Sequence, residues 1–271
     1  MLAILNIIIA IIWTTIYSLN QGVQLNFLGI LWILLAFIIS FLIITLTLFI
    51  ILIIFVYTTE KIKPKTKWKH MFVNLYSEYM FRFFSRVKLV ATGKENLPKD
   101  DNFVVYSNHI EYSDPIYIMQ VYKKNPLGFI AKDPLFRFPV LKNLMYGLGC
   151  IPIAKYADRS ALKTILKAIN QVKGGQPMGV FPEGKRTYSN DLIDFKPGAF
   201  KVPQKAGADI SPVCLYNMHN LSAKGRILPI KVYIHVLPVI KYEDYKDLDS
   251  VSISKKVHNI ILEQMNKFKG N

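Results

Sequence analysis

A histidine and an aspartate five positions apart are the first residues in this sequence that suggest chemistry. His109 and Asp114 lie in the run NHIEYSD at residues 108–114. A histidine bound to a carboxylate can serve as a general base, because the hydrogen bond holds the ring in one tautomer. A plainer interpretation makes Asp114, before Pro115, a helix N-cap and His109 a polar loop residue. Spacing alone leaves both interpretations open.

The segments on either side place the pair at the end of a strand. Phe103–Tyr106 is an unbroken apolar run, which predicts a buried strand. Pro115–Tyr122 predicts a helix with proline at its first position. His109 therefore falls in a strand-to-helix turn at the carboxyl end of a strand, where open α/β sheets bind their ligands.

A second turn, at residues 179–189, collects groups that suit a phosphate. The run GVFPEGKRTYS ends a predicted strand at Pro182, and Gly184 allows the backbone to turn tightly. The two cations that follow, Lys185 and Arg186, supply a point charge and a planar two-pronged donor, and hydroxyl residues lie beside them. The glycine spacing is not that of a P-loop. An ordinary basic turn is the alternative interpretation.

Together the two turns resemble the glycerolipid acyltransferase family, and within it the bacterial 1-acyl-glycerol-3-phosphate acyltransferases. The pattern NHxxxxD at 108–114 is followed by FPEGxR at 181–186. The resemblance extends from about Lys88 to Ile240. Further family blocks are matched, in the same order, by segments at residues 131–136, 149–153 and 210–213.

The sequence departs from the family pattern at three positions. The second block has Lys155 where the family usually has arginine, and Arg159 is a candidate replacement. The third block has Lys185 in place of the usual threonine, and the fourth has Asp209 in place of its first proline. None of these departures touches the histidine–aspartate pair.

The resemblance implies transfer of a fatty acyl group from a thioester, of acyl carrier protein or CoA, to the sn-2 hydroxyl of 1-acyl-glycerol-3-phosphate. The product is phosphatidic acid. His109 is then the general base and Asp114 its orienting partner, with no metal, no cofactor and no covalent acyl-enzyme. Glycerol 3-phosphate or a different lysolipid is the alternative acceptor.

The resemblance also gives a set of substrate-binding candidates. Asn108 either aligns the turn or contacts the thioester carbonyl. Around the acceptor phosphate the candidates are Glu183, Gly184, Lys185 and Arg186, and the further basic candidates are Lys132, Lys155 and Arg159.

The charge of the chain is unevenly distributed. The net charge is +16, yet the first 59 residues contain no Lys, Arg, Asp, Glu or His. The basic surface suits an acidic acyl carrier protein or the phosphates of CoA. A basic membrane-anchored binding module without chemistry would also explain the charge, but it gives the histidine–aspartate pair no role. Nucleic-acid-binding signatures are absent from the sequence, so no nucleic acid partner is expected.

The uncharged stretch predicts a membrane hairpin. Leu2–Leu19 and Phe27–Tyr57 contain 18 and 31 residues without a charge, and a spanning helix needs about 20. The first segment lacks the basic start and the cleavage site of a signal peptide. A single span preceded by an interfacial helix is the alternative.

Five lysines at residues 61–69 follow the second segment and favour contact with anionic lipid headgroups. They also predict that this end of the segment lies on the cytoplasmic side of a bacterial cell membrane.

Three parts are predicted. Residues 1–59 form the hairpin, 60–87 a basic linker and an amphipathic helix, and 88–271 an α/β acyltransferase domain. The helix at Met71–Val87 lies either on the membrane or on the soluble core.

From Lys88 onward, strand and helix patterns alternate, which predicts a mostly parallel central sheet flanked by helices. The two cysteines are predicted to be free buried thiols.

Overall fold

The chain forms two units, Met1–Thr58 and Thr59–Asn271, in the computed structural model. The boundary falls where the uncharged stretch of sequence ends. The residues that the structure describes are 1–153, 159–223, 225–226 and 228–270, with the backbone alone for Arg82, Arg159 and Ser160.

The first unit consists of two helices, α1 at Leu2–Asn20 and α2 at Phe27–Thr58. Both are long and apolar enough to cross a membrane, judged by length and composition. At 1.5 Å per residue α1 spans about 28 Å and α2 about 48 Å, against about 30 Å for the hydrocarbon core of a bilayer. A hydrogen bond from Asn6 Nδ2 to Thr45 Oγ1, 2.9 Å long, joins the two helices. The prediction of two apolar helices is confirmed.

The second unit is built on a sheet of seven strands in the described part of the chain. In chain order these strands are β1 at Val87–Thr92, β2 at Phe103–Ser107, β3 at Gly128–Lys132, β4 at Ile151–Ile153, β5 at Met178–Val180, β6 at Asp209–Tyr216 and β7 at Ile230–Val236. Across the sheet their order is β1-β7-β6-β2-β5-β3-β4. Neighbours are parallel except β6 and β7, which are antiparallel. The predicted mostly parallel sheet is confirmed.

Helices flank this sheet and connect its strands. They are α3 at Lys67–Ser77, a π-helical continuation at Glu78–Phe84, α4 at Asp114–Val121, α5 at Pro139–Gly147, α6 at Arg159–Lys173, α7 at Lys201–Ala206 and α8 at Ser250–Lys269. Short 3₁₀ turns lie at Lys94–Asn96, Asp133–Arg137, Pro197–Phe200, Met218–Ser222 and Tyr242–Asp244.

Strand β2 lies in the middle of the sheet and is buried along its whole length. Parallel strands covered on both faces are continuously apolar, which explains the FVVY run that leads to His109. On one face α8 packs on the core with a stripe of buried residues, Ile253, Val257, Ile261 and Met265, at every fourth position. The strand that carries the candidate base is therefore held on both faces.

The first helix of the second unit differs from its prediction. The helix expected at Met71–Val87 begins at Lys67, becomes π-helical at Glu78 and ends at Phe84. It ends there because Arg86, with φ 50°, turns the chain into β1. One face of the helix is buried in the second unit, through residues such as His70, Val73 and Tyr76, while Met71, Met80, Phe83 and Phe84 are exposed.

Three of the five lysines at residues 61–69 have partners inside the second unit. Lys65 Nζ donates to Gly174 O at 2.8 Å, and Lys67 pairs with Asp101 at 2.8 Å. Lys69 is buried, donates to Ile62 O at 2.9 Å, and its burial lowers its pKa. Of the five lysine side chains, those of Lys61 and Lys63 alone have no hydrogen bond or ion pair within the described residues. The expected contact with anionic headgroups therefore falls to these two ammonium groups.

Candidate active site

The two turns that carry the candidate residues lie side by side because β2 and β5 are adjacent parallel strands. Tyr106 near the end of β2 is paired with Val180, the last residue of β5. The carboxyl ends of parallel strands lie at the same edge of a sheet. Residues 108–114 and 181–189 therefore leave the sheet at neighbouring points.

His109 and Asp114 are in direct contact. His109 Nδ1 lies 2.9 Å from Asp114 Oδ2, and the imidazole stacks on Phe181, with 4.0 Å between ring centroids. The carboxylate is fully buried, whereas 16% of the histidine side chain is accessible. With its proton on Nδ1, a neutral imidazole carries a lone pair on Nε2. Nε2 has no hydrogen-bond partner within the part of the chain that the structure describes.

Asp114 does not cap the helix that follows it. The N-cap residue is Ser113, and no side chain caps α4. Asp114 Oδ2 instead accepts the main-chain N–H groups of Ile110 at 2.6 Å and Glu111 at 2.8 Å. Burial raises the pKa of Asp114, and the hydrogen bonds from the histidine ring and the two N–H groups oppose that rise. The carboxyl group thus fixes both the backbone of the turn and the ring of the histidine.

Asn108 is fully buried and bound to the next strand of the sheet. Its Nδ2 donates to Leu215 O at 3.0 Å, and its Oδ1 accepts from Leu215 N at 2.8 Å. Of the two roles considered for Asn108, these contacts favour alignment of the turn, because both ends of the amide are occupied by main chain.

Main-chain hydrogen bonds join the two turns. Thr187 N donates to His109 O at 2.9 Å, and Tyr188 N donates to Ile110 O at 3.2 Å. Gly184 has φ 71°, a left-handed conformation that favours glycine, and so it allows the reversal that begins the second turn. Arg186 directly precedes the residue bonded to His109, which brings its cation to the edge of the sheet where the candidate base lies.

Glu183 lies between the two turns rather than in the open. Its Oε1 accepts the main-chain N–H of His109 at 3.2 Å, and only 3% of the residue is accessible. Burial raises the pKa of Glu183 to about 8, and the nearby charge of Asp114 adds to the rise. These contacts favour a role for Glu183 in holding the main chain of the His109 turn.

The basic candidates have different surroundings. Arg186 is partly buried over the ring of Tyr112, whereas Lys185 is exposed. Lys132 is exposed at the carboxyl end of β3, on the same edge of the sheet. Lys155 lies outside the described residues, as does the side chain of Arg159, whose backbone begins α6.

Comparison with known proteins places this chain among acyltransferases. The acyltransferase family model matches residues 88–216. A 1-acyl-sn-glycerol-3-phosphate acyltransferase of Borreliella burgdorferi is 32% identical over 185 residues, which cover 68% of this chain and 74% of that protein. The chain belongs to the acyltransferase family. An acyltransferase of the same name from Chlamydomonas reinhardtii is 34% identical over 140 residues, or 51% of this chain and 42% of that protein.

A solved structure shares the fold of this acyltransferase. The crystal structure of the 1-acyl-sn-glycerophosphate (LPA) acyltransferase PlsC from Thermotoga maritima matches with a TM-score of 0.65 and 24% identity. The match covers 80% of this chain and 88% of that one. Both turns lie within the residues matched by the family model, so the resemblance stated from the sequence is confirmed.

The candidate site also contains residues whose contacts no sequence motif marks. Lys196 is exposed, and its Nζ lies 2.7 Å from where a Cβ on Gly184 would be. It adds a cation to the second turn, and no motif or spacing marks it in the sequence. Phe181 lies within a recognised block, but nothing in that block shows that its ring supports the imidazole.

The raised pKa of Glu183 predicts a pH dependence of stability. Its folded pKa of about 8 exceeds the ordinary value of 4.5, so the folded state favours the protonated carboxyl group. This contribution to stability is complete below pH 4.5 and is lost as the pH rises through about 8. Glu183→Gln keeps the acceptor for His109 N and cannot ionise.

We therefore expect the stability of the wild-type acyltransferase, relative to Glu183→Gln, to fall by a few kcal/mol between about pH 5 and 9. The measurement is denaturant unfolding of both detergent-solubilised proteins across this range. Parallel curves for the two proteins would show that Glu183 ionises normally in the folded state.

Proposed function

We propose that this acyltransferase transfers a fatty acyl group from an acyl thioester to the sn-2 hydroxyl of 1-acyl-glycerol-3-phosphate. The donor is acyl carrier protein or CoA, and the product is phosphatidic acid. The single observation that carries the proposal is the open Nε2 of a carboxylate-bound His109, joined through the main chain to a turn with an arginine. The names of the relatives supply the acceptor.

The proposed reaction uses His109 first as a base and then as an acid. Nε2 removes the proton of the acceptor hydroxyl as its oxygen attacks the thioester carbonyl carbon. The Asp114 carboxylate stabilises the imidazolium that forms, as in a serine hydrolase triad with the substrate hydroxyl in place of serine. The carbon–sulfur bond then breaks, and the departing thiolate takes the proton from Nε2. No covalent acyl-enzyme forms.

The acceptor phosphate is held by the second turn in this proposal. Arg186 and Lys185 supply the charge, and Lys196 lies against the same turn. A bound phosphate fixes the position of the hydroxyl group relative to His109. Positioning of two reacting groups lowers the barrier by up to about 7–11 kcal/mol in favourable systems. We expect phosphate recognition to affect both acceptor binding and turnover.

The test is a purified-enzyme assay with acceptors that differ in their phosphate. The panel contains 1-acyl-glycerol-3-phosphate, its dephosphorylated analogue and glycerol 3-phosphate, each with an acyl-CoA and an acyl carrier protein donor. The proposal expects the first acceptor to have the highest kcat/KM. A higher kcat/KM for glycerol 3-phosphate would assign the enzyme to the alternative acceptor.

Arg186→Lys should raise the KM for the phosphate-bearing acceptor by about 10- to 100-fold, since a lysine cannot hold two phosphate oxygens in one plane. The KM for the donor and the rate with the dephosphorylated analogue should change little. If the advantage of the phosphate survives in both Arg186→Lys and Arg186→Ala, the phosphate is bound elsewhere, with Lys132, Lys155 and Arg159 the next residues to replace.

We propose further that α1 and α2 span the cell membrane and that the catalytic unit faces the cytoplasm. The support is their length and apolar composition together with the lysines that follow α2. The protein should stay with the membrane in carbonate or high salt and be released by detergent. A reporter fused to the carboxyl terminus should be active in the cytoplasm. Release by carbonate would contradict the spanning hairpin, and a periplasmic reporter signal would contradict the orientation.

A further inference from the structure

Arg186 is held by aromatic rings rather than by a carboxylate. Its Cζ lies 3.3 Å from the centroid of the Tyr112 ring and 5.6 Å from that of Tyr188. No acidic side chain pairs with it among the described residues, and its buried Nε has no hydrogen-bond partner there. The guanidinium is thus placed by contacts that leave its charge uncompensated.

This kind of contact differs in its effect from an ion pair. A carboxylate would orient the guanidinium but would neutralise it and occupy the N–H groups in its plane. An aromatic ring stacked under the guanidinium attracts the cation through its π face. The N–H groups at the edge of the guanidinium then stay available to another ligand. Stacking on Tyr112 is therefore suited to an arginine whose ligand is a separate anion.

The backbone supports the same arrangement. Tyr188 has φ 54°, a left-handed conformation that is uncommon for a residue with a side chain. Its N–H is bonded to Ile110 O, two residues before Tyr112. Each turn contributes one tyrosine next to Arg186, and the two ring centroids lie 6.4 Å apart. The hydrogen bond between the turns keeps both rings beside the guanidinium.

We propose that Tyr112 is a positioning residue that orients Arg186 toward the phosphate of the acceptor, and that the Tyr188 ring bounds the guanidinium on a second side. This inference rests on the proposed function, because the anion it names is the phosphate of 1-acyl-glycerol-3-phosphate. Tyr112 acts through the arginine and does not itself bind the phosphate. Phenylalanine at this position keeps the aromatic face, whereas leucine fills similar space without it.

The experiment measures KM and kcat for Tyr112→Phe and Tyr112→Leu, with the phosphate-bearing acceptor and with its dephosphorylated analogue. Tyr146→Leu is the matched control, since Tyr146 is also exposed and its ring packs on Phe136. We expect Tyr112→Leu to raise the KM for the phosphate-bearing acceptor by about 3- to 30-fold, the range of a cation–π contact. The KM for the donor, and all constants of Tyr112→Phe and Tyr146→Leu, should stay within about twofold of the wild type.

A double-mutant cycle with Arg186→Ala completes the test. Once Arg186 is replaced, Tyr112→Leu should have no further effect on the acceptor KM, because the group that it orients is gone. Additive effects would overturn the inference, as would an equal loss with the dephosphorylated analogue. Loss in Tyr112→Phe would assign the role to the hydroxyl group and overturn it too. Thermal unfolding of each variant checks that an altered KM does not come from an altered fold.

The two proposals fail in different ways. A wild-type enzyme with no preference for the phosphate-bearing acceptor would overturn the proposed function, and this inference with it. A wild-type preference that Tyr112→Leu leaves unchanged would overturn this inference alone.

Discussion

Replacing His109 with alanine should lower turnover by about 10²- to 10⁴-fold, the usual contribution of a general base. The expectation follows from the accessible Nε2 of an imidazole that is bound on its other nitrogen to a buried carboxylate. Acceptor binding should be retained, because the cations of the second turn are untouched. The measurement is the single-turnover rate of the purified variant, with acceptor binding followed separately.

The control for this variant is His235→Ala. His235 is hydrogen-bonded to Thr92 between β7 and β1, and β6 separates β7 from β2, the strand that leads to His109. Loss of that contact should leave turnover unchanged. Near-native turnover in His109→Ala would mean that another group removes the proton, and the proposed mechanism would be wrong.

The second large effect is expected for Asp114→Asn, with a loss of turnover of at least about 10²-fold. An amide oxygen can still accept the N–H groups of Ile110 and Glu111, so the turn can keep its shape. The variant lacks the negative charge that stabilises the imidazolium of His109. The NH₂ group of the new asparagine takes the place of the buried Oδ1, which has no partner in the described structure. A buried donor without a partner lowers the free energy of unfolding by about 1–3 kcal/mol.

Asp249→Asn is a matched control. Asp249 also accepts two main-chain N–H groups, of Val251 and Ser252, at the N-cap of α8. Asparagine caps a helix about as well as aspartate, so this variant should keep both stability and turnover. A fully active Asp114→Asn, with only Asp114→Ala destabilised, would reduce Asp114 to a structural residue.

Much of the fold was predictable because it depends on local patterns. The FVVY run indicates a buried strand, the alternation after Lys88 indicates strands and helices in turn, and the uncharged first 59 residues indicate two long apolar helices. The strand predicted at Phe103–Tyr106 and the helix predicted at Pro115–Tyr122 therefore lie within one residue of β2 and α4. The helix at Lys67–Phe84 was placed too late in the chain, because its first turn contains buried Lys69 and His70. Buried polar residues interrupt the pattern that predicts a helix.

The candidate site was only partly predictable, because its contacts join distant parts of the chain. The partners of His109 include Glu183, which is 74 positions away, and Asn108 is bound to Leu215, 107 positions away. Sequence patterns identify such residues as polar but do not show which group each one meets. The contact between the Glu183 carboxyl group and the main chain of the first turn, for example, has no signal in the sequence.

The hydrogen bonds between the two turns have a consequence for how this site can vary among relatives. Both donors and both acceptors are main-chain atoms, of Thr187, Tyr188, His109 and Ile110. A substitution at position 187 leaves its bond available unless it introduces proline, which lacks the N–H group. At position 188 the left-handed φ of 54° restricts the choice further, and Ile110 is buried. Drift in the side chain at position 187 therefore leaves the base and the arginine in register.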